Sequence, residues 1–260
     1  MELRYITLSD PRDHNTFDEL FDLWAIDPRV EIAVQMHPGN VDPDTVRYNW
    51  IKKTIDRLYG MKHKYNLAIH VNNDWCSDIC NGKIPTALKP FFDASSYYTY
   101  RPLVQRIQLN MPPKTAKTFN PQKLKDVIDA YNDKEFIIQY KSATINAVEQ
   151  LHKTGAKFSL LFDESGGNSK SPESWQAPVY PNEHPMGYAG GLNPENITEN
   201  LDKIAKVAGD NKIWTDVEGG ITIDTGLKKP DGKPIKRFST PQAKQYVYNT
   251  LAWEQKHRQK

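Results

Sequence analysis

Two kinds of residue in the C-terminal half of this chain stand where chemistry is possible. Carboxylates end short apolar runs: Asp163 follows FSLLF, and Asp216 and Glu218 fall within IWTDVE. A carboxyl group whose surroundings move its pKa toward neutrality can give or take a proton. Glycine pairs mark the second kind, Gly190-Gly191 in YAGGLNPEN and Gly219-Gly220 in VEGGI. Without a Cβ the backbone can approach a ligand closely, and N–H groups at such turns and at a following helix start are donors for phosphate. Tight turns alone would also use glycine there.

These residues need a frame that gathers them. Short apolar segments rich in β-branched and large residues run along the chain at Leu3–Leu8, Glu31–Met36, Asn66–Val71 and Val104–Leu109, and again at Glu135–Tyr140, Phe158–Phe162, Met186–Ala189 and Ile213–Val217. Between them lie stretches with apolar residues at three- and four-residue spacing, among them FDELFDLWAI, PQKLKDVIDAY and NPENITENLDKIAKVAG. Strand-like and helix-like patterns alternating at roughly 30 residues are repeated βα units. Eight of them predict a closed parallel (β/α)₈ TIM barrel, a single α/β domain over residues 1–260, with an open doubly wound sheet as the alternative. Asn120 ahead of Pro121, and Thr240 ahead of Pro241, are expected helix starts, and Gly155 and Gly209 expected ends. Two connections lack that rhythm. Residues 72–102 read as a long loop with a weak helix near Pro85–Phe92, and residues 163–185 as a polar loop with no helical period.

A barrel of this kind places its active site at the C-terminal ends of the strands. The polar residues there are Thr7 and Asp10, His37, His70 and Asn72, Gln108 and Asn110, Gln139 and Lys141, Asp163 and Glu164, Asp216 and Glu218. The predicted rim is therefore polar all round.

Composition narrows the partners. Lysine and arginine number 34 against 32 aspartates and glutamates, a net charge of +2, which gives no field to draw nucleic acid or an anionic membrane. No apolar run is long enough to span a bilayer, and a soluble cytoplasmic protein is expected. The two cysteines, Cys76 and Cys80, are too few for a disulfide framework or a structural zinc site and read as reduced thiols. No P-loop, early GxGxxG or HExxH is present, so no cofactor and no metal are expected.

Several of these segments, in order, resemble phosphoribosylanthranilate isomerase, a barrel enzyme of tryptophan biosynthesis. RIQLN is similar to that family's QLHG strand, and FSLLFDESGGNSKSPESW to its LLD strand end and GGTGxxFxW loop. YAGGLNPENITENL is similar to LAGGLxPxNV, and TDVEGGI to DxSSGVE. The resemblance implies an Amadori rearrangement that turns an aminoaldose phosphate into an aminoketose phosphate. Asp163 would be the general acid that opens the sugar ring. Gly166 and Gly167 would cover the substrate, Gly190, Gly191, Gly219 and Gly220 would hold its phosphate, and Asp216 would help place it.

Departures fall on the first strands. The family's base is a cysteine in a KICG motif on strand one, whereas this chain reads RYITLSD, with Ile6 or Thr7 expected at that place. Asn110 replaces the histidine of QLHG, and HPGNVDP replaces an arginine-bearing SPR loop. Asp10 and His37 are the candidate substitute bases. The expected function is thus an isomerase-like enzyme acting on a small phosphorylated sugar. The alternatives are a barrel that binds such a ligand without altering it, and a hydrolase or lyase using Asp163 and Glu218 as a carboxylate pair.

Overall fold

The computed structural model describes residues 1–39, 45–98, 100–164, 171–181, 183–228 and 230–258. Eight parallel strands close into a barrel in chain order: β1 (Glu2–Ser9), β2 (Val30–Met36), β3 (Asn66–Val71), β4 (Arg106–Leu109), β5 (Glu135–Tyr140), β6 (Ser159–Phe162), β7 (Met186–Ala189) and β8 (Lys212–Val217), with β8 pairing back onto β1. The expected strands are all present. Both faces of each strand are covered, which is why β2 and β3 are apolar or buried along almost their whole length.

The outward residues, such as Ile6, Leu8, Ile32, Val34 and Ile69, join the large apolar layer beneath the helices. Those helices are α1 (Phe17–Trp24), α2 (Val46–Tyr59), α3 (Asn73–Cys80), α4 (Lys89–Phe92), α5 (Pro113–Thr118), α6 (Pro121–Ala130), α7 (Ile145–Lys153), α8 (Ile197–Ala208) and α9 (Thr240–Arg258). Helix α1 begins with a reciprocal capping box between Thr16 and Glu19, and Asn120 caps α6 just ahead of Pro121. Ser239, one residue before the expected Thr240, accepts the backbone N–H of Gln242 in α9 at its hydroxyl oxygen.

Inside the barrel the lower layers are closed by a charged and aromatic plug. Arg106 is fully buried, donates to Glu31 at 2.7 Å, and lies 4.4 Å from the Tyr5 ring and 4.3 Å from the Trp214 ring. Glu135 receives Arg4 at 3.0 Å and Ser159 at 2.6 Å, and its carboxylate lies 3.4 Å from Arg106 Nε. Trp214 fits only because residue 187 is glycine: a Cβ there would lie 2.1 Å from the indole. Ile137, Leu161 and Ala189 complete this layer, and Leu161 and Ala189 also line the space above it at the strand C-termini.

Two connections differ from the expectation, and a third follows it. Residues 73–80, read as loop, form α3, because Trp75, Cys76, Ile79 and Cys80 share one buried helical face. The two thiols are free, buried and one turn apart, with sulfurs 4.0 Å apart. Between β8 and α9 the chain makes an antiparallel hairpin, β9 (Thr222–Lys228) with β10 (Pro234–Phe238), whose residues are mostly exposed and so carry little hydrophobic period. The β6–β7 crossover has no helix among the described residues, as expected, and is tied down by Trp175 Nε1 to Asn200 and by Tyr188 OH to Gln176 O. No described helix is long and apolar enough to cross a membrane.

Candidate active site

The strand ends surround a cavity of about 170 Å³. Its walls come from β2 to β8, and its carboxyl groups are Asp163, Asp216 and Glu218; none of its lining residues is a lysine or arginine among the described residues.

Asp216 is the deepest acid. Parallel pairing sets β8 beside β1, and Ser9 Oγ donates to Asp216 Oδ1 at 2.5 Å. Burial pushes the carboxyl up to about 8, reinforced by the charges of Glu218, Glu31 and Asp163 and opposed by the Ser9 hydrogen bond. At neutral pH this group is a neutral acid. His70 Nε2 lies 3.8 Å from Asp216 Oδ2, but burial and the charge of Arg106 hold the imidazole down to about 3. The contact is therefore between neutral groups, too long for a hydrogen bond.

Glu218 is arranged differently. A directional chain of amides runs round the rim: Gln108 Nε2 donates to Asn110 Oδ1 at 2.9 Å, Asn110 Nδ2 to Asn72 Oδ1 at 2.9 Å, Asn72 Nδ2 to Gln35 Oε1 at 2.5 Å, and Gln35 Nε2 to Glu218 Oε2 at 3.1 Å. The amide oxygens of Asn110, Asn72 and Gln35 are each occupied by the preceding NH₂, so Gln35 faces Glu218 as a donor. Crowding by protein atoms pushes the Glu218 carboxyl up to about 7, with Asp10 and Asp163 adding to the rise and Arg12 opposing it. Its side chain is open to water at the mouth, which moderates that shift.

Asp163 ends β6 and accepts from Gln139 Nε2 at 2.9 Å, while Lys141 Nζ donates to Gln139 Oε1 at 2.6 Å. Glu164, next in sequence, turns to Ser142. On the far side Gly190 and Gly191 hold φ of 110° and 64°, which L side chains rarely adopt. Gly220 is forced by packing, since a Cβ there would lie 1.9 Å from Leu192 O. With Gly219 they line the same cavity as the three carboxyls. Gly166 and Gly167 lie outside the described residues.

The other expected bases stand apart from this cavity. Asp10 lies between Arg47, at 2.8 Å, and Arg12, both bonded to its carboxylate. His37 Nδ1 is 2.7 Å from Pro38 O, and neither residue lines the cavity. Strand one also runs in a different register from the one expected. Ile6 faces the helices, and Thr7 is bonded to Glu31 deep in the barrel at 2.8 Å. Ser9 is the residue that β1 presents at the mouth. Asp10 follows it with φ of 67°, a conformation that favours the glycine following cysteine in KICG. Ser9, Gln35 and the role of Asn72 were missed from sequence; the signal was the period-two run Tyr5, Thr7, Ser9 on the inner face.

Residues 120–239 match the family model of N-(5'phosphoribosyl)anthranilate (PRA) isomerase. That stretch holds β5 to β8 and the hairpin, and includes Asp163, Asp216 and both glycine pairs. The resemblance to the PRA isomerase family is thus borne out there, while β1 to β4 lie outside the matched stretch. The fold over 95% of this chain is similar to the crystal structure of phosphoribosyl anthranilate isomerase from Thermus thermophilus, covering 98% of that chain with a TM-score of 0.55 at 12% identity. The structure of N-(5'-phosphoribosyl)anthranilate isomerase from Pyrococcus furiosus covers the same shares at 13% identity with a TM-score of 0.49. No curated protein matches the chain.

Proposed function

We propose that this barrel is a PRA isomerase-like enzyme that isomerises a phosphorylated aminosugar, with Asp163 as the acid that opens the ring. The observation that carries the reading is a single cavity lined at once by Asp163, Asp216, Gly190, Gly191, Gly219 and Gly220. The glycine loops after β7 and β8 offer backbone N–H groups for the substrate phosphate, with no cationic side chain needed to hold it. Asp216, neutral up to about pH 8, donates a hydrogen bond to a sugar hydroxyl rather than repelling the phosphate.

The test uses N-(5'-phosphoribosyl)anthranilate as probe substrate, with formation of the aminoketose phosphate followed by mass spectrometry and NMR. The native chain is expected to convert the probe. Asp163→Asn is expected to abolish turnover while probe binding stays within a few fold. Retained turnover would remove Asp163 from the reaction. Ser9, a hydroxyl at the strand-one mouth, favours a second reading in which the barrel binds a phosphorylated ligand unchanged. Tight binding of the probe with no product after long incubation would establish that reading instead.

A further inference from the structure

We infer that Glu218 is the base that removes the C2 proton in this barrel, taking over the work for which strand one offers no thiol. The inference rests on the isomerase reading above. It begins from elimination among the groups at the mouth. Ser9 is committed to Asp216, and a neutral hydroxyl is a weak base. Asp216 is buried and prefers its protonated form, and His70, although it lines the cavity, is held down to about 3 by burial and Arg106 and is too weak a base. Asp10 is held by two guanidinium groups outside the cavity, and His37 does not reach it. Among the described residues Glu218 alone combines a carboxylate not held protonated by burial with access to the cavity and a shared lining with Asp163.

Its setting fits a base in particular. The amide chain ends by donating to Oε2, and a donor there favours the ionised carboxylate and fixes its orientation. Among the described residues Oε1 has no hydrogen-bond partner, so it is the oxygen available to substrate. The charged groups that set its titration are Asp10, Arg12 and Asp163, and together with crowding they bring the carboxyl near the pH at which a base works best.

The reaction balances with two carboxyl groups. The reacting form of the pair carries one proton, on Asp163, which gives it to the ring oxygen as the C1–O bond breaks, and the nitrogen lone pair forms C1=N⁺. Ionised Glu218 takes the proton from C2, and the C2–H pair becomes C1=C2 as the C=N pair returns to nitrogen. The enol then returns its hydroxyl proton to Asp163 and forms the C2 ketone, while C1 takes the proton carried by Glu218. Both carboxyl groups end as they began, and no external oxidant or reductant is needed.

The experiment compares native protein with Glu218→Gln and Gln35→Leu, using N-(5'-phosphoribosyl)anthranilate carrying deuterium or protium at C2. Glu218→Gln is expected to lose at least ~10²-fold in kcat with KM within a few fold and an unchanged melting temperature. The native kcat/KM profile is expected to fall below a pH near 7, and Gln35→Leu to move that limb to higher pH by removing the donor that favours the carboxylate. Glu218→Gln turnover within tenfold of native, or a limb that Gln35→Leu leaves in place, would overturn the inference while leaving the isomerase reading intact. Native protein that binds the probe without turning it over would overturn both.

Discussion

Replacing Asp216 with asparagine should make the protein more stable as pH rises, because the folded barrel holds this carboxyl protonated and the unfolded chain does not. The folded group titrates near 8, against 3.8 for the free side chain. Between those values the native state binds the extra proton, so the contribution is fully present below pH 3.8, is lost as pH rises to about 8, and changes no further above it. Each pH unit in that window costs the native protein about 1.4 kcal/mol, so at pH 7 the group opposes folding by about 4 kcal/mol. Asparagine keeps the shape of the neutral acid: its Oδ1 accepts the Ser9 hydroxyl, and its NH₂ stands in for the protonated oxygen. His70 acts with the opposite sign, staying neutral when folded down to about pH 3, but that contribution is common to both proteins and cancels in the comparison. At 2–4 °C per kcal/mol, the Asp216→Asn variant should melt about 10 °C above native at pH 7 and within a degree or two of it at pH 4. Thermal unfolding by circular dichroism across pH 4–9 is the assay. Parallel melting curves for the two proteins across that range would refute the argument that burial keeps Asp216 neutral.

The plug beneath the cavity supports two further predictions. Gly187→Ala places a methyl group 2.1 Å from the Trp214 indole, so it should cost about 3 kcal/mol and alter the near-ultraviolet tryptophan signal, both read by denaturant unfolding and circular dichroism. Arg106→Met leaves Glu31 and Glu135 without the cation between them and should destabilise the barrel by about 3–5 kcal/mol. Arg106 lowers the pKa of both acids, so its loss favours their neutral forms, and the destabilisation measured in urea should grow from pH 5 to pH 8.

The barrel was legible because a closed parallel sheet covered on both faces leaves short apolar runs at regular spacing, and all eight runs became strands. Helix α3 was not, because its outward residues Asn73, Asp74, Ser77 and Asp78 make the local composition polar while a narrow face of Trp75, Cys76, Ile79 and Cys80 does the packing. The hairpin β9–β10 escaped for the opposite reason: nearly all of it is exposed, and it has no buried face to impose a period.

At the mouth, residue type was readable but partnership was not. Asp163, Asp216 and the glycine pairs stand at strand ends and were assigned from there, whereas the amide chain joins residues from β4, β3 and β2 that lie 30 or more positions apart and meet only through barrel register. Strand one shows the difference most sharply. In RYITLSD the inner residues are Tyr5, Thr7 and Ser9, and only the last clears the plug to reach Asp216. What marks it as the strand end is the positive φ of Asp10, a backbone property that a non-glycine residue conceals in sequence. The same displacement sets where Asp10 points. That turn carries its carboxylate away from the cavity and onto Arg12 and Arg47, and the proton-accepting role proposed above passes to Glu218, the residue after the neighbouring strand β8, whose position the amide chain fixes.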